Sequence, residues 1–369
     1  MNQPRLLFHF DVERPETDGL PKAPTLEEIR ACFESPIHPF NAYNKIVGQE
    51  TAKKKLRRVT IDAYLKIDHN CGDCNFLVTG PSSVGKTTIV RAFADSVRLP
   101  FIEVSPRALE TIDDLLGFIT HVLGNRKPPL NLVPTIRANF YELPPCIIFI
   151  DEAHALRKNL QNELLKAVER HDRSFITEAG ETISTKNVCW FFATTEVGDL
   201  FGPLLNRFTE INLKPYTKHE VAKIVQMNFP DLTEEICKTV AHFESKVTRR
   251  ALAFATELMR ELQQRPEIPL QKLAAELAEE NDVDQHGMEK RHLHILKLVS
   301  VRAIPKDRLA LNLHVTKEEL ERLIVPPLLL DTEDAPALLT VTGKGYEITQ
   351  AGAKELQKRG IECKRTPCA

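Results

Sequence analysis

The sequence predicts an α/β protein: a P-loop domain on a parallel sheet, then a small α-helical domain, then a C-terminal winged helix. Three observations predict it. A short apolar run, Phe76-Leu77-Val78-Thr79, turns through Gly80-Pro81-Ser82-Ser83-Val84-Gly85-Lys86-Thr87-Thr88 into a helical pattern. The runs Cys146–Ile150 and 188–195 are continuously apolar rather than alternating, as strands buried on both faces of a parallel sheet are. Beyond Pro215 the pattern is almost wholly helical until two strand-like pieces flank Gly343-Lys344-Gly345.

The glycine loop fills every fixed position of the phosphate-binding pattern, in the strand–loop–helix context it requires. Backbone N–H groups between Gly80 and Thr88, with the helix N-terminus, face a polyphosphate. Lys86 adds a point charge near the β/γ-phosphates, and Thr87 a hydroxyl for Mg²⁺. The expected ligands are a polyphosphate and Mg²⁺.

With 369 residues the chain is long enough for two or three domains. Its 42% hydrophobic and 27% charged content is ordinary for a globular protein. A net charge of −2 gives no global basic signature, so nucleic-acid contact has to come from local patches. The eight cysteines are scattered, which reads as reduced thiols rather than a disulfide framework. No secretory leader and no membrane-length apolar run is visible, so a cytoplasmic protein is expected.

Taken in order, residues 1–40 are a proline-punctuated extension with one short expected helix, 25–33. The P-loop domain is expected over 41–213. A helix over 51–65 carries Lys53, Lys54, Lys55, Arg57 and Arg58, which reads either as a solvated face or as a DNA contact. Cys71-Gly72-Asp73-Cys74 reads as a tight turn or as part of a metal or redox site. Phe101–Val104 is a strand and 109–122 a helix. The run Cys146–Ile150 ends in Asp151-Glu152, at the carboxyl edge where open α/β sheets bind ligands. Asp151 is placed for the Mg²⁺ shell and Glu152 to polarise an attacking water. A helix over 156–171 and a hairpin, 175–177 with 182–184, lead to the strand 188–195. Thr195 at its end is a candidate for the γ-phosphate or the lytic water.

Arg207, after Pro203-Leu204-Leu205-Asn206, reads in isolation as a surface residue. Helices over 218–227, 234–244, 249–263 and 270–280 make a helical domain within 214–284, and Arg250 opens the third of them. Residues 285–369 supply helices over 288–299, 306–311 and 316–324, strands over 338–341 and 346–349, and a last helix over 350–358. That succession is a winged helix. From 286 to 369 there are 14 Lys and Arg against 11 Asp and Glu, only mildly basic, so DNA and protein both stand as its partner.

These stretches together resemble the AAA+ ATPases, and within them the RuvB-type Holliday-junction branch-migration motors. The likeness rests on Ile46-Val47-Gly48-Gln49-Glu50, Gly80–Thr88, Phe149-Ile150-Asp151-Glu152-Ala153-His154, Ala193-Thr194-Thr195, Pro203–Phe208, Tyr216-Thr217, Val283-Asp284 and Met288-Glu289-Lys290-Arg291, over about 41–360. It implies that Thr195 is sensor 1 and that Arg207 is an arginine finger reaching a neighbouring subunit. It implies that Arg250, with Arg249 as the alternative, is sensor 2 on a helical lid, and that Ile46 and Val47 line the adenine pocket. The implied assembly is a homo-hexameric ring that hydrolyses ATP with Mg²⁺ and acts on duplex or branched DNA, with a junction-binding partner protein and no membrane. The alternative is a loader or switch that positions a partner protein on DNA. The chain departs from the pattern at the hairpin tip Glu178-Ala179-Gly180-Glu181, which is short and polar. Lys344 is the one cation of its wing, Arg249 stands where the family has proline, and the N-terminal extension has no counterpart.

Overall fold

The computed structural model describes residues 42–65, 75–97, 99–124, 133–134, 140–169, 171–244, 247–331, 336–364 and 367–368. The extension 1–40, its expected helix and the Cys71–Cys74 pair lie outside them. The chain divides into two compact units, ending at Lys214 and beginning at Pro215.

The first unit is built on β1 (Asn75–Thr79), β2 (Phe101–Val104), β3 (Val133–Pro134), β4 (Phe140–Glu142), β5 (Cys146–Ile150), β6 (Ser174–Ile176), β7 (Thr182–Ser184), β8 (Val188–Thr194) and β9 (Thr209–Asn212). Five of these form one sheet in the order β2-β5-β8-β1-β9, and every pairing in it is parallel. All seven residues of β8 are buried, as are all five of β1 and of β5. Helices Glu50–Leu65 and Lys86–Val97 cover one face through Leu56, Ile89 and Phe93, which pack with Phe76, Phe149 and Phe191. Helices Ile112–Gly124 and Lys158–Ala167 cover the other through Leu115, Ile119 and Leu164, with Ile148, Trp190 and Phe192. Phe76, Phe93 and Phe191 form a ring cluster with centroids 4.9 to 6.4 Å apart. Fully burying each such ring stabilises by about 1.5–3 kcal/mol.

Two features of this unit differ from expectation. β9 was not anticipated: only Ile211 of Thr-Glu-Ile-Asn is buried, so an edge strand with one apolar side chain gives no run to detect. The hairpin 174–184 forms as expected, but it joins a second sheet, β3-β4-β7-β6, through the parallel β4–β7 pairing. Its β3 and β4 span two and three residues, too short for a periodicity signal.

In the second unit, helices Lys218–Asn228, Glu234–Phe243, Thr248–Gln264 and Leu270–Glu280 pack around Val221, Val240, Phe254, Leu258 and Leu273. Thr217 and Glu220 cap the first of them reciprocally. A separate core, with Ile295, Leu309, Leu320, Leu339, Ile348 and Leu356, joins helices Lys290–Val299, Lys306–Asn312 and Gln350–Gln357 to the antiparallel pair β10 (Leu339–Thr342) and β11 (Gly345–Ile348). The helix expected over 316–324 is α-helical only at Lys317–Glu319, capped by Thr316. It widens to a π turn at Leu320–Ile324, where Val325 N–H reaches back to Leu320 O before Pro326.

An ion pair closes this unit. Arg359 Nε donates to Asp284 Oδ2 at 2.5 Å and Nη2 to Oδ1 at 3.1 Å. Burial pushes the Asp284 carboxyl up. The Arg359 bonds and the Met288 and His286 N–H groups outweigh it and hold the carboxyl below its ordinary range. Stability from such a group is present above the unfolded carboxylate pKa and is lost as pH falls through the folded one. Between about pH 5 and pH 3 the urea midpoint of the full chain is therefore expected to fall further than that of Asp284→Asn, which lacks the titrating group. Circular dichroism at both pH values checks this, and parallel curves for the two proteins would contradict it.

Candidate functional site

The parallel register fixes what the sheet brings together. Thr79 stands beside Thr194 across β1–β8, and Ile150 beside Phe192 across β5–β8. The residues that follow, Gly80, Asp151-Glu152 and Thr195, therefore emerge at one carboxyl edge of the sheet. Three distant stretches share that edge because β8 lies between β1 and β5.

The loop from Gly80 to Lys86 has the backbone of an anion cradle. Gly80, Ser83 and Gly85 have φ of 141°, 62° and 88°. At Gly80 a Cβ would meet the Leu213 carbonyl oxygen at 2.6 Å, so only glycine fits where the loop leaves β1. Lys86 is buried. Its ammonium donates to the carbonyls of Gly80 and Pro81, both at 3.0 Å, inside the loop it would serve. Val84 packs in the core, while Thr87 is half-buried and Ser82 and Thr88 are exposed. Asp151 accepts from the Glu152 N–H at 3.0 Å. A divalent cation fits this donor set: the half-buried hydroxyl of Thr87 and the Asp151 carboxylate, hard oxygens beside the cradle.

Glu152 adopts the left-handed conformation at φ 51°, unusual for a residue with a side chain, at the entry to the turn Ala153–Ala155. Its carboxylate is half-exposed. His154 Nδ1 lies 3.4 Å from Glu152 Oε2 and 3.0 Å from Thr194 Oγ1, and Thr194 Oγ1 also accepts from the Glu196 N–H at 2.9 Å. Thr194, not Thr195, holds the buried end of β8. Thr195 lies past the strand and is exposed.

Ile46 is buried against Val84 and Phe93, and Val47 is half-buried. Lys53 Nζ donates to Ile46 O at 2.9 Å, and Gln49 makes two bonds to the Lys214 backbone, of 2.7 and 3.0 Å. The basic helix is thus only partly a solvated face. Lys53 is buried, Lys55 reaches Glu210 O and the Arg57 guanidinium lies over the Tyr43 ring, while Lys54 and Arg58 are exposed.

Arg207 is elsewhere. Its backbone carbonyl accepts from Asn75 Nδ2 at 3.3 Å, at the start of β1, and β9 begins opposite Phe76. The P-loop leaves the other end of that five-residue strand, about 15 Å away at strand rise. Arg207 Nε donates to Glu169 at 2.8 Å, Nη2 pairs with the same carboxylate, and Nη1 donates to Pro203 O.

Arg250, in the second unit, is clamped between the Glu244 and Glu289 carboxylates. Burial pulls the guanidinium down, and the two carboxylates outweigh it and hold it above its ordinary range. Burial raises the Glu244 carboxyl, with Arg250 opposing. Arg249 beside it is exposed. The sequence reading gives no role of their own to His154, Thr194, Glu169 or the Arg250 partners. His154 was legible as the fourth residue of Asp-Glu-x-His, whereas the others carry no pattern.

Residues 76–216 match the model of the ATPase family associated with various cellular activities. These residues form an AAA ATPase domain. Over longer stretches the chain is similar to Holliday junction branch migration complex subunits RuvB. The subunit of Campylobacter hominis is 26% identical over 359 residues, covering 94% of this chain and 95% of its own. That of Aliarcobacter butzleri is 27% identical over 316 residues, covering 80% and 83%. Among solved structures, the Thermotoga maritima RuvB Holliday junction branch migration motor superposes with a TM-score of 0.64 at 22% identity, over 86% of this chain and 96% of its own. That likeness carries the fold, including the helical domain and the winged helix. No helix among the described residues is long and apolar enough to cross a membrane.

Removing Arg250 leaves two partly buried carboxylates facing one another. Arg250→Ala is expected to lower stability by about 1–2 kcal/mol, a partly solvated clamp costing less than a fully buried one. Arg249→Ala is expected to change it by less than about 0.5 kcal/mol. Urea denaturation of both variants decides, and equal losses would remove the distinction.

Proposed function

We propose that this chain is an ATP-hydrolysing subunit of a ring motor that moves branched DNA, the activity that the names of its RuvB relatives carry. The observation that supports the ring most directly is the place of Arg207. A guanidinium at the opposite end of β1 from the P-loop is too far to serve the nucleotide of its own chain, and serves one bound by a neighbour. A cation supplied in trans makes each site incomplete without the next subunit, and a closed homo-hexamer satisfies that requirement at every interface.

Within one subunit the roles divide by position. The loop Gly80–Thr88 binds the polyphosphate, with Lys86 leaving the Gly80 and Pro81 carbonyls for the phosphate oxygens. Thr87 and Asp151 would hold Mg²⁺, which when bound would supply positive charge beside the transferred group. Glu152 orients the attacking water and takes its proton. Thr195, at the same edge, lies where the γ-phosphate ends, and Ile46 and Val47 take the base. From the second unit, Arg250 acts on the phosphates only after releasing Glu244 and Glu289. Arg249, exposed one residue earlier, is the alternative with no such release. On DNA, the exposed cations Lys54, Arg58 and, at the wing, Lys344 supply backbone contacts. A junction-binding partner would meet the hairpin 174–184, where Ile176 is exposed.

Two outcomes test the assignment. Arg207→Ala is expected to reduce ATP hydrolysis at least 100-fold at concentrations where rings form, with nucleotide binding kept. Unchanged hydrolysis in those rings would break the trans-site model. Glu152→Gln is expected to bind ATP and assemble but not turn over, and retained turnover would move water activation to another residue. Four-way junction dissociation, run beside ATPase stimulation, separates the motor from a loader. A loader leaves the junction intact and responds to its protein partner.

A further inference from the structure

Asn75, the first residue of β1, is buried and joins three separate stretches of the chain. Its Oδ1 accepts from Arg173 Nη2. Its Nδ2 donates to Val168 O at 2.6 Å and to Arg207 O at 3.3 Å. The amide has one orientation open to it. A guanidinium carries donors and no acceptor, so Oδ1 must face Arg173 and both N–H groups must face the carbonyls. Arg173 is itself buried. Its Nε donates at 3.3 Å to Ala167 O, which also accepts from Thr185 Oγ1 at 2.6 Å. A buried charge separated from such acceptors loses heavily in solvation, so this anchor resists displacement.

Arg207 leans on the anchor at both ends. Its carbonyl shares the Asn75 amide with Val168, and its guanidinium rests on Glu169, the next residue along. The helix before it, Gly202–Leu205, is a single turn. After it, the Phe208 ring packs on Phe192 with centroids 4.6 Å apart.

From this geometry we infer that Asn75, its amide aimed by Arg173, is a positioning residue for Arg207. This rests on the reading of Arg207 as a cation supplied to a neighbour's nucleotide. When the guanidinium leaves Glu169, the Asn75 bond keeps the backbone in place, so the side chain swings from a fixed base. β1 then serves two sites. Its carboxyl end opens into the loop that binds the chain's own nucleotide, and its first residue holds the cation for the next one.

Because Asn75 and the phosphate loop share a strand, a merely structural role and a positioning role put the damage in different sites. ATP hydrolysis and binding of a fluorescent ATP analogue, measured on the full chain at concentrations where rings form, separate them. Asn75→Ala is expected to lower kcat about tenfold through a misplaced cation. KM and analogue affinity should stay within about twofold, since the chain's own site is intact. Asn75→Asp, which keeps the volume and the Arg173 bond but loses both donors, should match it. The decisive measurement mixes Asn75→Ala with Lys86→Ala, which lacks the phosphate cation but keeps a well-placed Arg207. In an equal mixture about a quarter of the head-to-tail interfaces join an Asn75→Ala nucleotide site to an Arg207 from Lys86→Ala, and hydrolysis should rise to about a quarter of the unmodified rate. A mixed rate no higher than half that of Asn75→Ala alone, beside recovery in a mixture of Arg207→Ala with Lys86→Ala, would overturn the positioning role. So would lost analogue affinity, or a rise in KM, with kcat kept. If Asn75→Ala fails to fold, Asn75→Asp decides in the same mixture. Failure of the Arg207→Ala mixture to recover would instead overturn the trans reading of Arg207 itself.

Discussion

Burial of β8 on both faces is the constraint from which the rest of the first unit follows. Seven consecutive buried residues admit no other place than the middle of a sheet covered by helices on either side. β1 and β5 must then flank it, and parallel pairing aligns all three carboxyl ends. The phosphate loop, the two acids and the Thr194 hydroxyl thus share an edge without being near in sequence. The same register sends Arg207 to the far edge, because the chain that leaves β8 must cross the sheet before β9 can run parallel to β1.

Much of the site was legible because its signals are local. The P-loop announces itself through glycines that the backbone needs. Gly80 has no room for a Cβ beside Leu213, and Gly85 sits at a left-handed φ. Asp151 and Glu152 were legible because charge directly after a buried strand has to sit at its end. What escaped depends on tertiary pairing. Nothing in the sequence ties Glu169 to Arg207, Glu244 and Glu289 to Arg250, or Thr194 to His154, across separations from 6 to 40 residues. β9 escaped for a different reason, since an edge strand with one buried residue has no periodicity. The break at Leu320 escaped because α and π turns share the same apolar spacing over so short a stretch.

A common electrostatic theme joins three of the assigned cations. Lys86 rests on two loop carbonyls, Arg207 on Glu169 and Pro203 O, and Arg250 on two carboxylates. Each is already satisfied, so a nucleotide bound as proposed would have to outcompete an internal partner. Exchange of one set of oxygens for another is close to balanced in energy, whereas capture by a bare cation would be strongly downhill. Balanced exchange suits a cycle in which the ligand is bound and released in every round.

The two bonds from Gln49 to the Lys214 backbone bear on how a signal leaves the first unit. They fasten the segment carrying Ile46 and Val47 to the last residue before the division of the chain. Lys214 is also one residue from Leu213, whose carbonyl limits Gly80. The segment of Ile46 and Val47, the loop at Gly80 and the exit of the unit are therefore tied to one short stretch of backbone. Displacement of either segment would pull on that same backbone, so a strain entering at one is felt at the other.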